Sequence, residues 1–152
     1  MIELEDAGVV VTAADPGAPG RTLTRTILEP TTLRLTERRI AVIGANGSGK
    51  STLARLVNGL RTPTSGRVRT LGMDVAREGP AVRSRVGFVF TDPDAQLVMP
   101  TAGEDVALSL RRTVPDASQR AARVREVLAR FGLADHVEAP VHSLSGGQKQ
   151  LL

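Results

Sequence analysis

Two rhythms of apolar and polar residues run along the chain, one of period two and one near 3.6. Ile2-Glu3-Leu4-Glu5 alternates and Val9-Val10-Val11 follows Gly8, so residues 2–13 predict a strand. Thr22 to Leu35 is rich in Thr, Leu and Ile with Pro30 inside. Proline donates no ladder hydrogen bond, so this stretch predicts edge strands broken by a turn. Asp15-Pro16-Gly17-Ala18-Pro19-Gly20, between them, is dense in turn formers. After the polar turn Thr36-Glu37-Arg38-Arg39, the run Arg39-Ile40-Ala41-Val42-Ile43 reads as a short buried strand and Lys50 to Leu60 as a helix closed by Asn58-Gly59. Thr62 to Gly66 is a turn, and Arg67 to Leu71 alternates like a half-buried strand. Asp74 to Arg85 is polar, with a short helix or loop. Val86-Gly87-Phe88-Val89-Phe90 has the length and continuity of a core strand in a parallel sheet, which would make Phe88 and Phe90 core residues.

The second half changes to the helical rhythm. Thr101, with Glu104 three residues on, has the pattern of a capping box opening a helix over 101–112. A second helix over 117–131 carries Val124, Val127, Leu128 and Phe131 at the spacing of a buried stripe, with Gly132 at the position that closes helices. Two helices with no strand between them predict a helical insertion on an α/β core. His136 and His142 follow in a polar connection, with no acid or nucleophile partner pattern, and read as surface residues.

The strand-to-helix junction at residues 44–51 carries the candidate chemistry. Gly44-Ala45-Asn46-Gly47-Ser48-Gly49-Lys50-Ser51 fits the phosphate-loop pattern of Gly, four residues, Gly-Lys and then Ser or Thr. A strand turning sharply into a helix aims free backbone N–H groups and the positive end of the helix dipole at one point, where an anion is favoured. Glycines let the backbone approach phosphates without a Cβ in the way. Lys50 then reaches the β- and γ-phosphates, and the Ser51 hydroxyl is placed to ligate Mg²⁺. At average residue frequencies the four fixed positions would arise by chance in about one chain in two hundred of this length. The flanking periodicities therefore decide for nucleotide over an ordinary glycine-rich turn.

Composition excludes more than it selects. With 152 residues and 41% hydrophobic positions, the chain supplies the core of one domain at most. No cysteine is present, so disulfides and Cys-ligated metals are excluded. No apolar run approaches bilayer length, and the acidic, alternating N-terminus is unlike a signal peptide, so a cytoplasmic protein is expected. The net charge of +4 invites a nucleic-acid reading. The 18 Arg are scattered from Arg21 to Arg130 among 16 carboxylates, and the aromatics are only Phe88, Phe90 and Phe131. That leaves neither a basic stripe nor a stacking platform, and no nucleic-acid partner is expected.

The chain closes on Leu144-Ser145-Gly146-Gly147-Gln148 and Lys149-Gln150-Leu151-Leu152, a Ser and two glycines opening a probable helix. By local physics this is either a second anion-accepting terminus or an ordinary Ser N-cap on a flexible turn. Together, in this order and spacing, residues 44–51 and 144–148 resemble the Walker A loop and signature motif of ATP-binding-cassette (ABC) ATPases. The resemblance covers the whole chain and implies an α/β P-loop NTPase fold of the ABC type, with an N-terminal antiparallel β-subdomain at 1–38, a P-loop core at 39–90, a coupling loop and helical subdomain at 91–143, and the signature at 144–152. It implies ATP and Mg²⁺ as ligands. Gly44, Asn46, Gly47, Ser48, Gly49, Lys50, Ser51 and Thr52 would hold the nucleotide. Ser145, Gly146, Gly147 and Gln148 would act in trans on ATP bound to a second ATPase subunit. Transmembrane transporter subunits would be the driven partners, with the protein peripheral on the cytoplasmic face of the membrane.

Val86 to Leu97 resembles the energy-coupling-factor type, which powers uptake of vitamins and of cobalt or nickel ions, and Val98-Met99-Pro100-Thr101 is more like its biotin branch. Departures from the family pattern accompany this. Thr91 stands where the family has a Gln that meets Mg²⁺ or water, and Gln96 is a different family position. No aromatic precedes Phe88, so base contact is expected to be aliphatic, through Val11 or Pro16. Nothing in the 152 residues matches the Walker B acids, so the resemblance implies a cassette incomplete at its C-terminus that binds nucleotide without turnover. Rival readings are a nucleic-acid-associated relative of the same fold, disfavoured by the lack of a long coiled-coil insertion, and a non-catalytic nucleotide-binding fragment.

Overall fold

The computed structural model describes residues 1–152. They form two compact units, Met1–Phe88 and Val89–Leu152.

The first unit is built on a four-stranded sheet of β1 (Ile2–Ala14), β2 (Thr22–Leu35), β3 (Ser65–Thr70) and β4 (Met73–Asp74), in the order β2-β1-β3-β4 and antiparallel at each contact. Pro30 does not break β2 into two strands, as its position predicted. β2 is the sheet edge, and β1 shifts register between Leu4 and Ala7 and again between Ala7 and Val9, opposite the proline. A bulged partner and a free edge together remove the need for the missing N–H. The inward positions Leu4, Ala7 and Val9 of β1 and Val68 of β3 are buried against Leu56 of α1 (Lys50–Val57), with Met73, Val75 and Val82 completing the core. Val82 lies on the short helix α2 (Gly79–Arg83). α1 ends where its sequence indicates: Gly59 takes φ +71, and the Arg83 guanidinium donates to the Gly59 carbonyl at 2.7 Å.

Two expected strands are absent. Residues 39–43 are not a strand, and Ile40, Val42 and Ile43 are 42%, 51% and 92% exposed. Residues 86–90 are not a strand either, and Phe88 and Phe90 are half-buried rather than core. The reason is the same for both. A central parallel strand exists only when flanking strands take up its N–H and C=O groups and helices cover its faces. The N–H groups of residues 38–45 find no backbone acceptor, and the sheet uses other segments.

The second unit is helical. α3 (Ala102–Leu110) packs on α4 (Ala117–Arg130) around Ala102, Val124, Leu128, Leu133 and Leu144. The predicted capping box is present: the Glu104 N–H donates to Thr101 Oγ1 at 3.3 Å, and the Thr101 N–H to the Glu104 carboxylate at 3.2 Å. Asp116 caps α4 in the same way, accepting from the Gln119 N–H at 2.8 Å. Of the apolar stripe on α4, Val124 and Leu128 are buried and Val127 is half-buried, but Phe131 is 48% exposed. Phe131 is the C-cap, where the backbone leaves the helix before Gly132 turns at φ +73, so its side chain departs from the buried face. α5 (Gly146–Leu151) closes the unit. None of these helices is long and apolar enough to cross a membrane.

Candidate phosphate and nucleotide site

The phosphate-loop sequence dictates its own geometry. The Ser48 N–H bonds back to the Ala45 carbonyl at 3.2 Å, and Gly47 and Gly49 sit at φ +82 and +90, where side chains are strained. A Cβ on Gly49 would lie 2.6 Å from the Ile27 carbonyl of β2, so the loop is pressed against that strand. A Cβ on Gly44 would lie 2.7 Å from Ser48 Oγ. Gly49 is also the N-cap of α1, and no side chain caps the helix. The first-turn N–H groups are therefore left for another acceptor, as an anion site requires.

The loop lines a cavity of about 360 Å³ with Asn46, Gly47, Ser48, Gly49, Lys50, Ser51 and Thr52 on one side and Arg25 and Ile27 of β2 on the other. Gly44 is not part of the lining. The Lys50 ammonium folds over the loop, donating to the Gly44 and Ala45 carbonyls at 2.8 and 2.7 Å. An ammonium has three donors, so one remains, and the other two exchange carbonyls for phosphate oxygens at little net cost. The Ser51 hydroxyl is exposed and Thr52 is 8% exposed beneath it. The donor set fits a triphosphate. It fits Mg²⁺ only as an ion held largely by phosphate oxygens and water, because the cavity offers the hydroxyls of Ser48, Ser51 and Thr52 and no carboxylate lines it. In the turn leading to this segment, the Glu37 carboxyl is held below the usual carboxylate range, first by its own backbone N–H and then by that of Thr36.

Arg25 and Ile27 were not foreseen. They occur at i and i+2 on β2 and so share a face, but only the packing of β2 on Gly49 brings that face to the loop. Val11 is Arg25's partner across the strand pair and packs against the core, and neither Val11 nor Pro16 lines the cavity. Thr91 is exposed in the second unit.

In the second unit, Ser145 N-caps α5 through a reciprocal box. The Gln148 N–H donates to Ser145 Oγ at 3.2 Å, and the Ser145 N–H to Gln148 Oε1 at 2.8 Å. Leu144 anchors the segment in the core, and Lys149, 15% exposed, pairs with Asp94 at 2.7 Å. Gly146 and Gly147 are exposed, have no positive φ, and a Cβ on either would meet nothing. His142 is exposed, as expected, but His136 is not a plain surface residue. Its Nε2 lies 3.0 Å from Gln148 Nε2, and its Nδ1 is buried. Only folding brings residues 136 and 148 together, and no spacing rule signals it.

A phosphate loop on a β-subdomain, followed by a helical unit that ends in a capped Ser-Gly-Gly-Gln, defines an ATP-binding cassette, and residues 30–152 match the family model described as "ABC transporter". The chain belongs to that family. It is 48% identical over 128 residues to a putative ABC transporter ATP-binding protein of Deinococcus radiodurans, covering 84% of this chain and 57% of that protein. It is 44% identical over 150 residues to the biotin transport ATP-binding protein BioM of Rhizobium etli, covering 99% of this chain and 62% of that one. An energy-coupling factor transporter ATP-binding protein EcfA1 of Symbiobacterium thermophilum is 45% identical over 113 residues, covering 73% of this chain and 39% of that one. Among solved structures, the cassette MJ0796 in a dimeric post-hydrolysis state with ADP and Pi superimposes with a TM-score of 0.77 at 25% identity, covering 99% of this chain and 66% of that one. The chain thus spans between about two-fifths and two-thirds of the length of these relatives.

Proposed function

We propose that this protein is the ATP-binding and ATP-hydrolysing subunit of a transporter that takes up a small solute, peripheral on the cytoplasmic face of the membrane. The observation that carries the reading is the cavity at the start of α1. Positive-φ glycines, uncapped first-turn N–H groups and the Lys50 ammonium converge on one space, and each is a device for holding phosphate. Asn46 to Thr52 cradle the phosphates, Lys50 bears on the β- and γ-oxygens, and Ser51 is the side-chain oxygen offered to Mg²⁺, with Thr91 the candidate for a contact through water. Bound Mg²⁺ would neutralise charge on the β- and γ-oxygens. The biotin and energy-coupling-factor relatives support a vitamin, or a cobalt or nickel ion, as cargo.

Ser145, Gly146, Gly147 and Gln148 act in trans, on ATP held by a second ATPase subunit. Supporting this, both glycines are open in their own unit and nothing in the chain demands them, which suits close approach by another molecule. The membrane subunits dock on the segment Gln96–Pro100. There Val98 is 74% exposed while Asp105 fixes its backbone, accepting from the Val98 and Met99 N–H groups at 2.9 and 3.0 Å. Residues 1–152 by themselves bind ATP without turning it over, since no carboxylate lines the cavity to orient the attacking water. A reading in which the chain only binds nucleotide shares this behaviour and differs in the assembled transporter.

Calorimetry with Lys50→Ala tests the reading. ATP affinity should fall about 10- to 100-fold, the scale of lost charge-assisted hydrogen bonds, with AMP little changed. Equal losses for ATP and AMP would remove Lys50 from the phosphates. Phosphate release by residues 1–152 should match the Lys50→Ala background, and Lys50-dependent turnover would place the catalytic acid within the chain. Val98→Glu should abolish co-purification with membrane subunits while ATP binding persists.

A further inference from the structure

The side-chain amide of Gln148 is committed at one end: its Oε1 accepts from the Ser145 N–H at 2.8 Å. That fixes which way the amide points and leaves Nε2, a donor, facing His136 Nε2 at 3.0 Å. Two donors cannot share a contact of this length, so the His136 nitrogen accepts, the ring is neutral, and its proton is on Nδ1. Nδ1 is buried and finds no partner. A buried N–H with no acceptor costs free energy, yet this tautomer is the one the Gln148 contact selects.

We infer that His136 is a positioning residue: its neutral imidazole holds the Gln148 amide in the orientation that caps α5, and so sets the geometry of Ser145 to Gln148. An imidazolium would turn a second N–H toward the Gln148 amide. The amide would then have to rotate to offer Oε1 to the ring, which takes that oxygen from the Ser145 N–H and opens the cap. The segment therefore loosens as pH falls and tightens as it rises. Asp135 and Glu138 are beside the ring in sequence, α4, which packs on residues 134–136, carries Arg120, Arg123, Arg125, Glu126 and Arg130, and α5 carries Lys149. Glu126 pairs with Arg123 and Lys149 with Asp94, and no ion pair reaches the ring to override the Gln148 contact. The consequence for ATP chemistry rests on the proposal that residues 145–148 meet a nucleotide, whereas the contact itself does not.

Amide hydrogen exchange of the 152-residue chain, read residue by residue by NMR without nucleotide and corrected for intrinsic pH dependence, separates the two. In the parent chain, exchange at the Ser145 and Gln148 amides should quicken roughly fivefold on going from pH 8 to pH 5.5, the scale of a lost helix cap. His136→Gln, whose amide oxygen accepts but does not titrate, should keep protection at both pH values. His136→Leu should be fast at both. Persistence of the acid response in His136→Gln, its absence from the parent chain, or parent-like protection in His136→Leu would each overturn the inference. General loss of protection across α3 and α4 in His136→Leu would mark unfolding, and the comparison of the parent chain with His136→Gln then decides alone. Failure to bind ATP would count against the proposed function and leave this result standing.

Discussion

The two glycine-bearing segments, residues 44–51 and 145–148, differ in why they need glycine. In the phosphate loop the chain itself demands it: Gly47 and Gly49 have positive φ, and a side chain on Gly49 would run into the Ile27 carbonyl. In the signature segment nothing in the chain does, because Gly146 and Gly147 are helical, exposed and unobstructed. A glycine required by its own fold marks a site that one unit completes. A glycine with no internal reason points to a constraint applied from outside the unit, and it is made at a cost, since alanine would favour the helix.

Substituting the two glycines breaks or sharpens that contrast most directly. Gly49→Ala should destabilise the first unit by about 2–4 kcal/mol, combining backbone strain with a forced shift of loop or strand, and should abolish ATP binding. Urea unfolding and calorimetry read both, and parent-like stability would contradict the close packing of loop on β2. Gly147→Ala should do the reverse. Unfolding should be unchanged or stabilised by about 0.5–1 kcal/mol, while, under the proposed action in trans, turnover by the assembled ATPase is lost with ATP binding at the phosphate loop intact. If Gly147→Ala is fully active, nothing approaches that backbone and the reading in trans falls.

A smaller effect is expected at the cap of the second segment. Ser145→Ala should cost about 1 kcal/mol of local stability, seen as faster amide exchange at Gln148 with α3 unaffected. Ser145→Asn should recover most of it. The smallest effect concerns Glu37, whose folded carboxyl is held below its ordinary range by backbone N–H groups. A lowered value means that its contribution is present above the unfolded pKa and lost as pH falls through the folded one. Glu37→Gln should therefore lower stability slightly near pH 7 and lessen its further loss on acidification, as acid titration followed by circular dichroism would show.

How far the chain could be read in advance depended on the range of the interactions involved. The phosphate loop, helices α3 and α4, the Thr101 capping box and the Gly59 and Gly132 stops were legible because each is dictated by residues within a few positions of one another. Capping and positive φ are local constraints, and local pattern reports them. The runs at 39–43 and 86–90 were misread for the opposite reason. Their composition is that of buried strands, but a strand is made by its neighbours, and the neighbours these segments would need are not among β1 to β4. Likewise, Arg25 reached the phosphate cavity only because β2 packs on Gly49, and His136 found Gln148 only because the helical unit closed. The sequence by itself determined where a phosphate would be held and which family the chain resembles, since those depend on short-range backbone geometry. Which side chains from elsewhere face that loop, and that His136 lies against Gln148, followed only from the folded chain, because such contacts are set by packing between elements distant along it.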